Sequence, residues 1–172
     1  MKVLITVLLL CLCFCYTGIT YAKNDNKNIQ SYTATLSDSS RKEIVEIEDK
    51  YSTDGVFVLS VRGRNKTKDV IDSLVIPGKI RRLELVGLDL DGRQQILVDF
   101  DGPDNIPNIV IYQLKNNKLH RIFAVSSKYG VDTDFQGIPR VKVGKASKYN
   151  NTSTFLPAWD SWVWVGGKFV KE

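Results

Sequence analysis

Closely spaced aspartates are the residues of this sequence best suited to chemistry. Asp132, Asp134 and Gln136 alternate in one segment, and Asp89 and Asp91 alternate in another. Alternate oxygen-bearing side chains on a tight turn can ligate a hard cation such as calcium, or they can accept hydrogen bonds from backbone N–H groups. Calcium takes roughly six to eight oxygen ligands, which is more than these residues supply. Two interpretations therefore stay open, a weak calcium site and aspartates that hold turns.

A second acidic pair, Asp99 and Asp101, ends an apolar run. Side chains alternate along a strand, so both carboxylates project from one face. A pair of carboxylates is also the machinery of glycoside hydrolysis, in which one group is an acid and the other a base or nucleophile. Such pairs also cap turns, so an exported carboxylate-based hydrolase is the competing hypothesis to a chain without catalysis.

Other catalytic constellations are missing from the sequence. The chain has one histidine, His120, and no serine lies in a Gly-x-Ser-x-Gly turn, so a Ser-His-Asp triad has little support. The three cysteines, Cys11, Cys13 and Cys15, all lie in the first 22 residues. The sequence thus gives no positive reason to predict an enzyme.

The first 22 residues have the layout of a secretory signal peptide. A lysine at position 2 precedes an uncharged apolar run, and Thr20-Tyr21-Ala22 offers small residues for cleavage after Ala22. An uncleaved membrane anchor is the alternative, because the uncharged stretch is about 20 residues long. Cleavage leaves 150 residues without cysteine and without a membrane-embedded segment. We predict a secreted or periplasmic protein with a flexible polar leader over residues 23–30.

Composition and patterning predict a single globular β domain over residues 31–172. Hydrophobic residues make up 43% and charged residues 25%, which excludes a disordered chain and a multi-span membrane protein. The densest basic run, residues 62–68, contains no aromatic residue for base stacking, so we expect no nucleic-acid partner. Runs rich in Val, Ile, Tyr, Phe and Trp between Gly, Asn and Asp turns predict strands at 31–36, 43–47, 55–62, 69–76, 81–88, 95–100, 108–114, 119–126, 140–145, 160–165 and 168–171. The segment 69–76 also fits one face of a helix. Asp54-Gly55, Asn116-Asn117 and Gly166-Gly167 lie between strand-like runs and favour hairpins.

Three segments of this domain share one plan. Ile44 to Ile96 is 52 residues, and so are Val58 to Val110 and Val110 to Trp162. A unit of about 50 residues holds about four strands, which is the size of a β-propeller blade. The predicted units are 31–79, 80–127 and 128–172. We therefore predict an all-β fold of antiparallel four-stranded units, arranged as a partial β-propeller, with a β-sandwich as the alternative.

The loops of these units resemble a known repeat. Asp132-Thr133-Asp134-Phe135-Gln136-Gly137 and Asp89-Leu90-Asp91-Gly92 resemble the Asp-x-Asp-x-Asp-Gly loop of FG-GAP/VCBS-type repeats, which build integrin α-chain propellers and many secreted bacterial proteins. The resemblance covers about residues 31–172 and implies blade-like sheets with calcium in the loop. The ninth loop position, acidic in the family, is Arg140 in the third unit and Gln95 in the second. The resemblance therefore implies a calcium function that is weak or lost.

Aromatic residues near the end of the chain form the predicted binding surface, which comprises Tyr149, Trp159, Trp162 and Trp164. Exposed tryptophans on a β-face suit sugar or protein binding, and a capping hydrophobic core is the alternative. We predict a secreted non-catalytic binding module of FG-GAP/VCBS-like type with a protein or glycan partner. An envelope structural protein that assembles with its neighbours is a further alternative.

The number of units limits how the domain can be arranged. Three blades do not close a ring, since propellers typically have about four or more. Either several copies assemble into one ring as a homo-oligomer, or the three sheets stack as an open partial propeller.

Overall fold

The computed structural model describes residues 29–37, 42–51, 56–64, 69–89, 91–146 and 158–172. The predicted signal peptide, most of the predicted leader, and Tyr149 lie outside the described residues. No helix in the described ranges is long and apolar enough to cross a membrane.

Twelve strands make up nearly all regular structure in the described ranges, and they confirm the predicted all-β class. The strands are β1 (Ile29–Ala34), β2 (Glu43–Tyr51), β3 (Val56–Gly63), β4 (Val70–Pro77), β5 (Lys79–Val86), β6 (Gln95–Asp101), β7 (Pro107–Lys115), β8 (Lys118–Ser126), β9 (Val131–Asp134), β10 (Arg140–Lys145), β11 (Ala158–Val165) and β12 (Lys168–Lys171). A short 3-10 turn, Pro103–Asn105, joins β6 to β7. The predicted strand at 69–76, which also fitted a helix, is strand β4.

The strands form three antiparallel sheets of four, each in chain order. We call them the N-terminal sheet (β1–β4), the central sheet (β5–β8) and the C-terminal sheet (β9–β12). Tight turns connect neighbouring strands in this order. A two-residue hairpin turn of type I′ has positive φ at both turn positions. Asn116 and Asn117 have φ values of 52° and 57°, and Gly166 and Gly167 have 56° and 85°. Both hairpins were predicted, whereas the third predicted hairpin, at 54–55, lies outside the described residues.

Strand β9 was not predicted, since its aspartates were assigned to a loop. The structure places Asp132 and Asp134 inside the strand, opposite Lys142 and Arg140 of β10. Thr133, between the two aspartates, turns inward and accepts a hydrogen bond from Arg82 of the central sheet over 2.8 Å. The segment thus alternates between an inward and an outward face, and the ladder with β10 satisfies its backbone.

The central sheet is buried on both faces. Every residue of the run Gln95–Phe100 in β6 is buried, which fits a strand covered on two sides rather than one. Ile96, Val98 and Phe100 pack into a core shared with the N-terminal sheet. Leu97 packs into a second core shared with the C-terminal sheet. The three sheets therefore form three layers with two cores between them.

The outer faces of the two end sheets are much more polar than either core. Arg62 donates to Glu46 over 2.6 Å on the outer face of the N-terminal sheet, whose further polar residues are Ser31, Ser60 and Ser73. The outer face of the C-terminal sheet bears Asp132, Asp134, Arg140, Lys142 and Ser161. Terminal units of stacked repeats need such polar outer faces, because no further unit covers them. The outer faces of the end sheets also carry the exposed apolar side chains of Val75, Trp159, Val165 and Val170.

Candidate binding surface

The aspartates of the central-sheet loop bond to neighbouring side chains. Trp164 Nε1 donates to Oδ1 of Asp89 over 2.8 Å. Asp91 accepts from the backbone N–H of Arg93 over 2.9 Å and from its Nε over 2.6 Å. These hydrogen bonds from Arg93 hold the pKa of the Asp91 carboxyl below its usual value. Asp89 and Asp91 thus act as acceptors for protein donors.

The predicted ligand set of the third unit is spread along an exposed edge. Asp132 Oδ1 accepts from the N–H of Thr133 over 2.8 Å, and Asp134 Oδ1 accepts from the N–H of Gln136 over 3.0 Å. Arg140 lies opposite Asp134 in register, but its guanidinium donates to Glu172 over 3.2 Å. Within the described ranges, no group of three or more His, Cys, Asp or Glu side chains could hold a metal ion. Calcium at these residues stays a prediction.

At the ninth loop position of the first two units, Glu43 and Gln95 accept hydrogen bonds from buried backbone, a role that the sequence did not indicate. Glu43 is buried and accepts from the N–H of Leu36 over 3.0 Å. Gln95, at the equivalent position 52 residues later, is buried and accepts from the N–H of Leu88 over 3.0 Å. Each side chain thus accepts a hydrogen bond from a buried backbone N–H seven residues earlier, at the start of the same loop.

Two arginines of β5 lie against the predicted hydrolase pair: Arg81 contacts both carboxylates, and Nε of Arg82 lies 3.7 Å from Oδ2 of Asp99. A β-bulge in β5 between Ile80 and Arg82 turns Arg81 toward β6. The Arg81 guanidinium donates from Nε to Oδ1 of Asp99 over 2.9 Å, and its Nη1 lies 3.5 Å from Oδ1 of Asp101. Both carboxylates of the pair therefore lie within ion-pair distance of the same guanidinium.

Two of the predicted surface tryptophans lie in the core. Trp164 is 9% exposed and Trp162 is half-buried, and both side chains point toward the central sheet. Trp162 packs on Phe123 with ring centroids 5.8 Å apart, and Trp164 packs on Phe169 at 5.2 Å. The prediction that Trp162 and Trp164 share one face of a strand is correct. That face is the inner one, so the two side chains belong to a hydrophobic core and not to an exposed surface.

Trp159 alone of the three tryptophans faces outward, and it is 43% exposed. It lies opposite Gly144 in register. A Cβ on Gly144 would lie 2.5 Å from the carbonyl oxygen of Tyr129, so only glycine lets the 127–130 turn pack here. A Cβ on Gly130 would lie 3.6 Å from Cη2 of Trp159, which places the indole directly beside that glycine. The two glycines thus bring the turn and the tryptophan together.

The 127–130 turn is itself held by several hydrogen bonds. The N–H of Tyr129 donates to Ser127 Oγ over 3.1 Å, and the N–H of Gly144 donates to the carbonyl of Gly130 over 2.8 Å. Tyr129 is 41% exposed, and the Nζ of Lys128 lies 5.2 Å from the centre of its ring. Sequence reasoning missed Tyr129 and both glycines, although a glycine inside a strand signals a close backbone approach.

We call Tyr129, Gly130, Gly144 and Trp159 the aromatic surface. It combines two exposed aromatic side chains with a backbone fixed beneath them. Aromatic rings present large contact area at little conformational cost, and their polar N–H and O–H groups form hydrogen bonds to a partner. Such a surface suits stacking on a sugar ring or on a planar or apolar side chain.

Comparison of the chain with protein-family models, with curated proteins and with solved structures finds no match. The resemblance to FG-GAP/VCBS-type repeats thus stays a prediction from the loop residues.

Proposed function

We propose that this chain is a secreted, non-catalytic binding module that contacts a protein or a glycan through the aromatic surface. The observation that carries the proposal is the position of Trp159, which stays 43% exposed beside Gly130 while Trp164 is buried. Burial of an exposed tryptophan contributes strongly to binding, because tryptophan is enriched among the residues that dominate interface energies. The N-terminal sequence supports secretion.

The engagement of the acidic pairs supports a binding role over a hydrolytic one. Asp99 and Asp101 lie against Arg81, and Asp91 lies against Arg93. The ion pairs with Arg81 hold the two carboxylates, Asp99 and Asp101, that the hydrolase hypothesis would direct at a substrate. Two features support an FG-GAP/VCBS-like type of module. Each of the three sheets has four antiparallel strands in chain order, and the loop before β6 carries the alternate aspartates Asp89 and Asp91.

The test is a binding screen of residues 23–172 against a printed oligosaccharide array and a displayed peptide library. Hits are measured again with Trp159→Ala and Tyr129→Ala, and with Val165→Ala as the control. Val165 is 55% exposed at the other end of the outer face of the same strand, so its truncation removes a similar kind of surface elsewhere.

We expect a selected ligand to lose about tenfold or more in affinity for Trp159→Ala, which corresponds to the cost of about 1.4 kcal/mol or more that defines important interface residues. Val165→Ala should bind as the parent does. Hits from the array indicate a glycan partner and hits from the library a protein partner. Ligands that bind Trp159→Ala and the parent equally would overturn the proposal.

A further inference from the structure

The hairpin between β7 and β8 presents an unusual concentration of positive charge. Lys115 and Lys118 lie directly opposite each other in register, next to the two-residue turn at Asn116 and Asn117. Directly opposed side chains on an antiparallel pair have Cβ atoms about 5 Å apart, and like charges at this position destabilise the pair.

The charges of this hairpin are also uncompensated. His120 lies one cross-strand row further along the same face, about 7 Å away, and both it and the lysines are exposed. Lys115, Lys118 and His120 form no ion pair or side-chain hydrogen bond in the described ranges of the chain. The segment 105–131 holds four lysines and arginines and no acidic residue. We call Lys115, Asn116, Asn117, Lys118 and His120 the basic hairpin surface.

Two further charged side chains, Arg121 and Asp72, lie near the hairpin. Arg121 follows His120 and lies opposite Tyr112, so it adds positive charge at the other face. Asp72 of the N-terminal sheet accepts the backbone N–H of Leu119 over 2.6 Å. A backbone N–H points along the plane of its sheet, so this carboxylate lies at the edge of β8. No ion pair joins it to Lys115 or Lys118 among the described residues.

We propose that the basic hairpin surface binds an anionic polysaccharide. Two ammonium groups beside each other match the carboxylate or sulfate groups carried along such a polymer. The exposed amides of Asn116 and Asn117 donate and accept hydrogen bonds, which suits sugar hydroxyls. The hairpin tip has no Phe, Tyr or Trp side chain to stack on nucleic-acid bases and no exposed apolar side chain to enter a membrane. This proposal stands apart from the aromatic surface and does not depend on it.

The decisive comparison is between two double variants of residues 23–172 with the same net charge. Lys115→Gln/Lys118→Gln removes the opposed lysines. Lys79→Gln/Lys142→Gln is the control, because each of these lysines lies opposite an aspartate, Asp101 and Asp132 respectively. Affinity is measured by calorimetry for heparin oligosaccharides and polygalacturonate, with neutral dextran, duplex DNA and anionic vesicles as the comparison ligands.

We expect the hairpin variant to bind the anionic oligosaccharides about tenfold more weakly and the control variant within about twofold of the parent, with binding weakened by salt because exposed charges are screened. Equal losses in both variants would overturn the proposal, since they would reflect net charge alone. Equal or tighter binding of DNA or vesicles would overturn the choice of a polysaccharide.

Amide chemical shifts of the parent provide a second readout without substitution. Changes at 115–121 on addition of a heparin hexasaccharide are expected, and changes confined elsewhere contradict the proposal.

Discussion

The indole N–H of Trp164 donates to a carboxylate oxygen of Asp89 over 2.8 Å, and this bond joins the C-terminal sheet to a loop of the central sheet. The aspartate belongs to a motif whose pattern suggested cation binding. Here an indole N–H takes one of its oxygens, and the partner lies 75 residues further along the chain. The loop is thus tied to the second core, where Trp164 packs on Phe169.

Loss of the bond between Trp164 and Asp89 should lower stability in a coupled way. We expect Asp89→Ala and Trp164→Phe each to destabilise the domain, and the double variant to cost about 1–2 kcal/mol less than the sum, because both single changes remove the same hydrogen bond to a charged group. Urea unfolding of the four proteins measures this coupling. Trp162→Phe serves as the packing control. A strictly additive double variant would show that the bond contributes nothing.

Glu43 should matter through its acceptor oxygen rather than through its charge. Glu43→Ala leaves the buried N–H of Leu36 without an acceptor, which costs about 1–3 kcal/mol, whereas Glu43→Gln keeps the acceptor as Gln95 does in the next sheet and should cost less. Equilibrium unfolding in urea gives both values. Glu48→Ala, on the outer face of the same strand, should stay within about 0.5 kcal/mol of the parent. A larger loss for Glu43→Gln than for Glu43→Ala contradicts the prediction.

Gly144 should tolerate no side chain. A Cβ there meets the Tyr129 carbonyl oxygen at 2.5 Å, so Gly144→Ala must displace the 127–130 turn and should cost about 1–3 kcal/mol, as overpacking does. The change should also alter the fluorescence of Trp159, since the indole lies beside Gly130. Gly87→Ala is the matched control, because a Cβ at Gly87 meets nothing within 4 Å. Equal melting temperatures for both variants would refute this account.

Acid should weaken the ion pairs of Asp160 in a defined pH range. Hydrogen bonds from Lys145 and Lys171 hold the pKa of the Asp160 carboxyl below its usual value of 3.8. Because the folded pKa is lower than the unfolded one, the contribution to stability is fully present above that value and disappears as the pH falls through the folded pKa. Asp160→Asn should therefore lower the urea midpoint slightly at pH 7, and this difference should shrink as the pH falls below 3.8. High salt should reduce the difference at pH 7, since the site is exposed.

We expect the domain to remain a monomer, and we expect calcium to leave its melting temperature unchanged. Asp89 and Asp91 already accept protein hydrogen bonds, and charged and polar side chains lie on the outer faces of both end sheets. We expect residues 23–172 to have the mass of a monomer by light scattering, with the same melting temperature in calcium and in chelator. A rise in melting temperature with calcium would restore the predicted cation loops. A stable oligomer would instead support closure of a ring by several copies.

The sequence determined the class of the fold because strands and turns leave local signals. Alternation of apolar side chains and the turn residues at Asn116-Asn117 and Gly166-Gly167 report on neighbouring strands within one sheet. The 52-residue spacing reports on the repetition of that sheet along the chain. Eleven of the twelve strands were accordingly predicted. The remaining strand, β9, was missed because its aspartates also fit a loop. Its extended conformation depends on pairing with β10, which the local sequence does not show.

The candidate sites depended on contacts between distant parts of the chain, which a local pattern does not encode. The sequence showed that Trp162 and Trp164 share a face, but only the stacking of the C-terminal sheet on the central sheet decided that this face is buried. The same packing left Trp159 outside and brought Tyr129 next to it through two glycines. It also gave Asp89 an indole partner and Asp99 an arginine. The sequence thus determined which side chains were available, and the arrangement of the three sheets decided which of them reach solvent.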